Sequence, residues 1–172
     1  LMEALCIELG CTEDNLSAVL QHRLGIDSIK SLAANPNTIE SVQVLTPVLN
    51  PIWGSLHLNE CVQKWIGTYD KEFIQFSTQK IYPKDKIMQL KNEKVEAYPS
   101  HQKYQLSNGQ IGFVRSIYKG YANLIYAGIP NESFGKRGVS GEDSETPIEL
   151  AYSITIHKSQ GSDFNTVVLV LP

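Results

Sequence analysis

"AYSITIHKSQGSDFNTVVLVLP", Ala151 to Pro172, closes the chain and decides how the rest of it is read. A histidine and a lysine stand side by side, followed by Ser-Gln-Gly and one carboxylate. They lie between an apolar lead-in and the near-continuous apolar run "VVLVL". The lead-in satisfies two periods at once. Leu150 or Ala151, Ile154 and Lys158 suit one face of a helix, while strict alternation from Tyr152 to Ile156 suits a strand. "TVVLVL" has the composition of a buried parallel strand. Gly161 lets the backbone approach a ligand closely, and the donors outnumber the single carboxylate, Asp163, which suits a phosphate-rich partner. On spacing alone, a polar surface turn is the commoner reading of such a run. Natural proteins seldom stop on a core-like strand, so the chain is expected to be an excised piece of a longer protein.

Upstream, the pattern alternates between helical and β character. Met2, Leu5, Cys6 and Leu9 share a helical face that Gly10 ends, and Leu16, Val19, Leu20 and Leu24 repeat it after a cap at Thr12. A shorter helix, Ile29 to Ala34, is expected to stop before Pro36. "SVQVLTP" is a short strand ended by Pro47. Ser55 then reads as the N-cap of a helix whose Leu58, Val62, Trp65 and Ile66 share a face, and strand–loop–helix is an α/β unit. From 72 to 130 the chain changes to short β-rich runs, with Asn108-Gly109 as a hairpin signal. That stretch reads as an inserted small antiparallel β-barrel. The Gly-rich polar run after it, to Pro147, is a loop. The expected division is therefore a helical segment 1–40, a parallel-sheet unit from 41–71 and 145–172, and an insertion 72–144.

The bulk numbers exclude several classes. With 172 residues, 42% apolar and 19% charged, the chain is long and apolar enough for a proper core. No apolar run approaches the roughly 20 residues that span a bilayer, so no membrane is expected and the default address is cytoplasmic. Cys6, Cys11 and Cys61 are an odd set without a Cys-x-x-Cys pair, which disfavours zinc or a disulfide framework. A formal charge of −3 argues against nucleic-acid binding through the overall field. It leaves room for a local groove, since lysines 80, 84, 86, 91 and 94 face only Asp85 and Glu93. A solvated strand face is the equal alternative for that run. His22, His57 and His101 lack ligand-like neighbours, and Trp53 and Trp65 read as packing residues. Tyr98, Tyr104, Tyr118, Tyr121 and Tyr126 read mainly as core and edge of the insertion, with room for an exposed ring or two to stack on bases.

The closing stretch resembles motif V of superfamily 1 helicases, in particular the RecD-like branch with its UvrD-type C-terminal domain, whose pattern is "AYAxTxHKxQGSEF" before an apolar strand. Two weaker stretches agree in order. "VQVLTPVLNPIWGSLHLNECVQ" is similar to the family's strand–loop–helix around motif IV, and "KDKIMQLKN" with "NGQIGFV" to the start of its inserted barrel. The resemblance covers Ser41 to Pro172; the N-terminal helices match nothing. It implies a second RecA-like (P-loop NTPase type) parallel-sheet domain carrying the barrel, preceded by the N-terminal helices. The chain would thus be the C-terminal motor portion of an ATP-dependent DNA helicase. Thr155, His157 and Lys158 would contact single-stranded DNA. Gln160, Gly161 and Asp163 would face the nucleotide cleft shared with a first RecA-like domain of the same polypeptide.

The departures matter to that expectation. Asp163 stands where the family has Glu, and Leu49, Asn50 and Pro51 replace the usual residues after the motif IV proline. The phosphate-cradling G-x-x-x-x-G-K run is absent from the chain, as are a Walker-B acidic pair and the arginine-bearing motif VI. ATP and Mg2+ are therefore expected only in the complete protein. The chain alone is expected to hold neither, to carry no catalytic residue or metal ligand, and to hydrolyse nothing. Single-strand binding by the chain is expected to be weak and salt-sensitive. The competing expectation is a degenerate helicase-like module that docks proteins or nucleic acid without motor activity.

Overall fold

A computed structural model describes residues 6–7, 10–24, 26, 28–50, 53–67, 72–76, 79–138 and 147–171. Of the first expected helix, Cys6 and Ile7 are helical, while Met2, Leu5 and Leu9 lie outside the described residues. So do Pro51, Pro172 and the loop residues 139–146.

Helix α1 (Leu16–Arg23) buries Leu16 and Leu20 one turn apart, with Leu24 at its end. Helix α2 (Ile29–Ala34) starts where the Ser28 hydroxyl accepts the Ser31 N–H (3.4 Å) and stops before Pro36, which opens a short 3-10 turn to Glu40. Strand β1 (Val42–Thr46) follows, then helix α3 (Ser55–Ile66). Gly54, not Ser55, is the N-cap of α3. A Cβ at Gly54 would sit 2.1 Å from the Leu49 carbonyl oxygen, so only glycine fits where the loop folds back on the helix. Ser55 becomes the first helical residue, and its N–H donates to the Val48 carbonyl (3.1 Å).

The insertion contributes β2 (Ile74–Phe76), β3 (Gln79–Ile81), β4 (Lys86–Gln89), β5 (Glu93–Glu96), β6 (Lys103–Leu106), β7 (Ile111–Tyr118), β8 (Tyr121–Tyr126), β9 (Phe134–Arg137) and β10 (Ile148–Leu150). The last strands are β11 (Ser153–Thr155) and β12 (Thr166–Leu169). Two main sheets result. One is parallel, in the order β11-β1-β12; the other is antiparallel, in the order β10-β4-β7-β8-β9, with β2–β3 and β5–β6 as separate hairpins. The lead-in "AYSIT" is thus strand, not helix. The antiparallel unit is an open, curled sheet and not a closed barrel, because its edge strands β9 and β10 pair with nothing beyond β8 and β4 among the described residues. A bulge between Val114 and Ser116 adds to its curl. Strand β10 lies within residues 145–172, the stretch read with the parallel unit, yet pairs with β4. One face is packed with Val114, Leu124, Tyr126 and Phe134, the last two edge-to-face at 5.7 Å, and the Tyr126 hydroxyl donates to Gln89 Oε1 (2.8 Å).

Two other expectations are corrected. Asn108-Gly109 is a turn, with Gln110 N–H on the Ser107 carbonyl (3.1 Å), but it joins β6 to β7, which do not pair. The type I′ hairpin turn needs positive φ at both central residues; here Gly109 has φ +87° and Asn108 does not. Instead the Gly109 N–H bonds the Gln89 carbonyl (2.8 Å) and the Asn108 N–H bonds Asn92 Oδ1 (2.8 Å), which ties the turn to the sheet. Strand β12 is parallel as expected but not buried. It is the edge of its sheet, and Val167 and Leu169 are 48% and 52% exposed. No described helix is long and apolar enough to cross a membrane.

The lysine run also divides. Lys86 is fully buried on β4, where its Nζ donates to the Val42 carbonyl (2.8 Å) and fastens the antiparallel sheet to β1. Burial pushes its ammonium down to about 7 against the pull of the Glu40 carboxylate. The unfolded chain keeps that proton up to a pH near 10.5, so folding stability rises between about pH 7 and 10.5. Lys86→Met is expected to cost about 1 kcal/mol or less at pH 7 and to flatten that rise. Urea unfolding at both ends of the window reads it, and an undiminished slope in the variant would sink the assignment.

Candidate functional site

Polar side chains in the core set the position of the motif V-like segment. Asn59 of α3 donates through Nδ2 to the carbonyls of Leu150 (3.0 Å) and Ser153 (2.9 Å), and its Oδ1 accepts the Ser153 N–H (2.7 Å). Gln43 of β1 donates to the carbonyls of Ala151 (3.1 Å) and Tyr152 (3.2 Å) from the neighbouring strand. Buried Asp85 accepts three donors: the Tyr82 N–H (2.7 Å), Gln63 Nε2 (2.6 Å) and the Tyr152 hydroxyl (2.7 Å). Burial outweighs those donors and pushes its carboxyl up to about 6. Helix, both sheets and the segment before β11 are thereby held as one unit.

Beyond β11 the chain turns. Ile156 N–H still reaches the Thr46 carbonyl (3.0 Å), and then Thr155 Oγ1 accepts the Lys158 N–H (3.3 Å) while its carbonyl accepts the Ser159 N–H (3.1 Å). Gly161, at φ +84°, completes the reversal with nothing near its Cβ position. His157, Gln160, Gly161 and Asp163 are exposed, and Thr155 and Lys158 half-buried. Opposite lies the Asn108–Gly109 turn, where a Cβ at Gly109 would come 4.0 Å from the Lys158 carbonyl oxygen. Between them is a cavity of about 540 Å³, walled by His157, Lys158 and Gln160 to Asp163 on one side, Ser107 to Gln110 on the other, and Glu40 and Met88. Of the six expected site residues, five line it; Thr155 stands behind the turn as its cap.

The charge of this cavity is informative. Its one lysine, Lys158, is ion-paired through Nζ to Glu149 of β10. Glu40 and Asp163 face the same space. The Glu40 carboxyl is raised, chiefly by burial and further by Asp163, with Lys86 opposing. Such a lining suits hydroxyls and amides of a sugar or base, and it does not fit the charge of a triphosphate. Among the described residues, no group of three His, Cys, Asp or Glu side chains is placed to hold a metal ion. The other histidines are surface residues: His101 pairs with Glu96 (2.8 Å), and His57 lies 3.4 Å from Cys61 Sγ. Sequence reasoning missed Gln43, Asn59, Gln63, Asp85 and Tyr152. Their one signal was Asn59 and Gln63 falling four residues apart beside Leu58, Val62 and Ile66, where a buried face should be apolar.

No family model matches the chain. Over 97 residues, 51% of this chain, it is 32% identical to an uncharacterized protein of Methanocaldococcus jannaschii, and the match spans 8% of that protein's length. A solved chain from a study of DNA unwinding at forked double-stranded DNA by two coordinating Pif1 helicases overlays with a TM-score of 0.44 at 16% identity. That overlay covers 91% of this chain and 40% of the other. Neither likeness carries a family.

Proposed function

We propose that the chain is the strand-contacting part of a second RecA-like unit in an ATP-dependent DNA helicase. The observation that supports this most is the exposed turn "HKSQGSD" at the carboxyl end of β11, walled by the Asn108–Gly109 turn. Ligands of open parallel sheets gather at such strand ends. In this reading Thr155 and His157 meet the single strand by hydrogen bonds and stacking. Gln160, Gly161 and Asp163 lie on the sugar side of a nucleotide cleft completed by a first RecA-like unit of a longer protein. The triphosphate and Mg2+ would have to be held by that first unit, which would supply the hydrolysis that drives stepping. The residues of this chain only shape and couple the site.

The charge balance of the cavity refines the expected behaviour. Because Lys158 is committed to Glu149, Lys158→Ala is expected to change affinity for an oligothymidylate by about twofold or less. His157→Ala is expected to weaken it about fivefold or more through the lost ring contact. Fluorescence anisotropy of the 172-residue chain with a labelled oligonucleotide reads both. In the full-length protein, His157→Ala should reduce DNA stimulation of ATP hydrolysis more than basal turnover. Equal losses in both would remove the coupling role. Absence of any hydrolysis by the folded full-length protein would favour the rival reading, a docking module without a motor, to which the exposed apolar strand β12 lends support.

A further inference from the structure

The opposite pole of the antiparallel sheet carries a second surface that the cavity at the turn does not use. Strands β7 and β8 meet there in a two-residue turn with Lys119 at φ +49° and Gly120 at φ +77°, the paired positive values of a type I′ turn. Tyr118 sits directly opposite Tyr121, and Tyr121 directly opposite Arg137 on β9. Directly paired residues project from the same face of a sheet. Two tyrosines and an arginine therefore form one row across three strands. The rings are not packed away: Tyr118 is 66% and Tyr121 53% exposed. Lys119 Nζ lies 5.1 Å from the Tyr118 ring centroid, and Lys80 Nζ 4.8 Å from that of Phe73, itself 44% exposed. A cleft of about 480 Å³ beside the row is lined by Phe73, Tyr121, Lys119 and Arg137 among others, and among the described residues its lining holds no carboxylate. This concentration of positive charge stands on a chain of net charge −3. Strand β7 spans eight residues, so the row lies roughly 25 Å from the Asn108–Gly109 turn.

We infer that this row is a stacking platform for single-stranded nucleic acid, separate from the cavity at the motif V-like turn. Exposed flat rings interleaved with cations give bases a π-face and phosphates a counter-charge at once. An acidic peptide would use the cations and leave the rings idle. A proline-rich peptide would use the rings and leave the cations idle. The inference rests on the row itself and does not need the reading of the first site.

The test is anisotropy of the 172-residue chain with an oligothymidylate of about 12 nucleotides, within the roughly 4–16 that β units of OB-fold size cover. The Tyr118→Ala/Tyr121→Ala double variant is expected to bind at least roughly tenfold more weakly, while Tyr118→Phe/Tyr121→Phe keeps its affinity. Arg137→Gln is expected to lower the slope of log affinity against log salt by about 0.7, one phosphate contact. The loss in the double alanine variant should be the same in a His157→Ala background, so failure at one site is distinguishable from failure at the other. Undetectable binding by the unmodified chain would overturn the platform, as would full affinity in the double alanine variant. So would an abasic oligomer that binds as tightly as the thymidylate, or displacement by polyglutamate or a proline-rich peptide at equal concentration.

Discussion

Asp85→Ala is expected to lose about 3–5 kcal/mol of folding stability, since three buried donors each forfeit an acceptor at roughly 1–3 kcal/mol apiece. The donors come from three places: the Tyr82 backbone, Gln63 on α3 and Tyr152 just before β11. A domain of ordinary stability has about 5–15 kcal/mol in total, so the variant is expected to be partly unfolded at 37 °C. Asp85→Asn separates the charge from the contacts. Its amide oxygen can face the Tyr82 N–H and Gln63, and its NH2 can donate to the Tyr152 hydroxyl, so all three bonds survive without a buried charge. The expected loss is about 1 kcal/mol or less at pH 7. The pH dependence has a definite sign. The folded carboxyl titrates at about 6 against an ordinary value of 3.8, so the folded state favours the protonated form. Stability contributed by this group is full below pH 3.8 and is lost as pH rises through 6, by up to about 3 kcal/mol. Urea titrations near pH 4.5 and pH 7 should show this loss in the parent chain and not in Asp85→Asn. Equal slopes in the two proteins would refute the assignment.

The second large effect is expected at Asn59. Asn59→Leu keeps the volume and removes three hydrogen bonds, leaving the carbonyls of Leu150 and Ser153 and the Ser153 N–H unpaired in the core. The expected loss is about 3–4 kcal/mol. Asn59→Asp is expected to be as damaging, because a buried carboxylate would face the two carbonyl oxygens that now receive the amide hydrogens. Asn59 is a positioning residue, touching the segment before the turn and no part of the cavity. Amide exchange at residues 150 to 155 should therefore accelerate in a milder variant, Asn59→Gln, more than exchange in the antiparallel sheet. Uniform acceleration throughout the molecule would mean that Asn59 supports the fold in general and not this segment.

These two residues also show what could and could not be read before the structure. The apolar spacing of Leu16, Leu20 and Leu24, and of Leu58, Val62 and Ile66, places α1 and α3, since burial of a stripe has a period of its own. The β-rich insertion and the short strand before Pro47 are legible for the same reason. A polar core is not, because Gln43, Asn59, Asp85 and Lys86 satisfy one another's neighbours across 40 to 110 residues of chain. Composition scores each of them as surface. The conformation of "AYSIT" is settled by Gln43 and Asn59, which hold its backbone beside β1, and not by its own ambiguous period. Strand β12 errs in the other direction. Its side chains suggest burial, yet burial depends on what packs against the sheet. The cavity residues at the turn were visible as a run, whereas their opposite wall at Ser107 to Gln110, some 50 positions earlier, was legible as a turn but carried no sign that it faces them.

The order of strands in the parallel sheet has a consequence for how the molecule is made. Strand β1 lies at the centre of that sheet, but both strands it pairs with come more than 100 residues later. A ribosome adding about 5–20 residues per second leaves it without a partner for several seconds. In that interval the hairpins and neighbouring strands of the insertion, whose contacts are close in sequence, can form first. The ends of the long loop are then already drawn together when β11 emerges, which lessens the closure entropy of the late pairing. An insertion that folds early would serve the parallel sheet as its assembly jig.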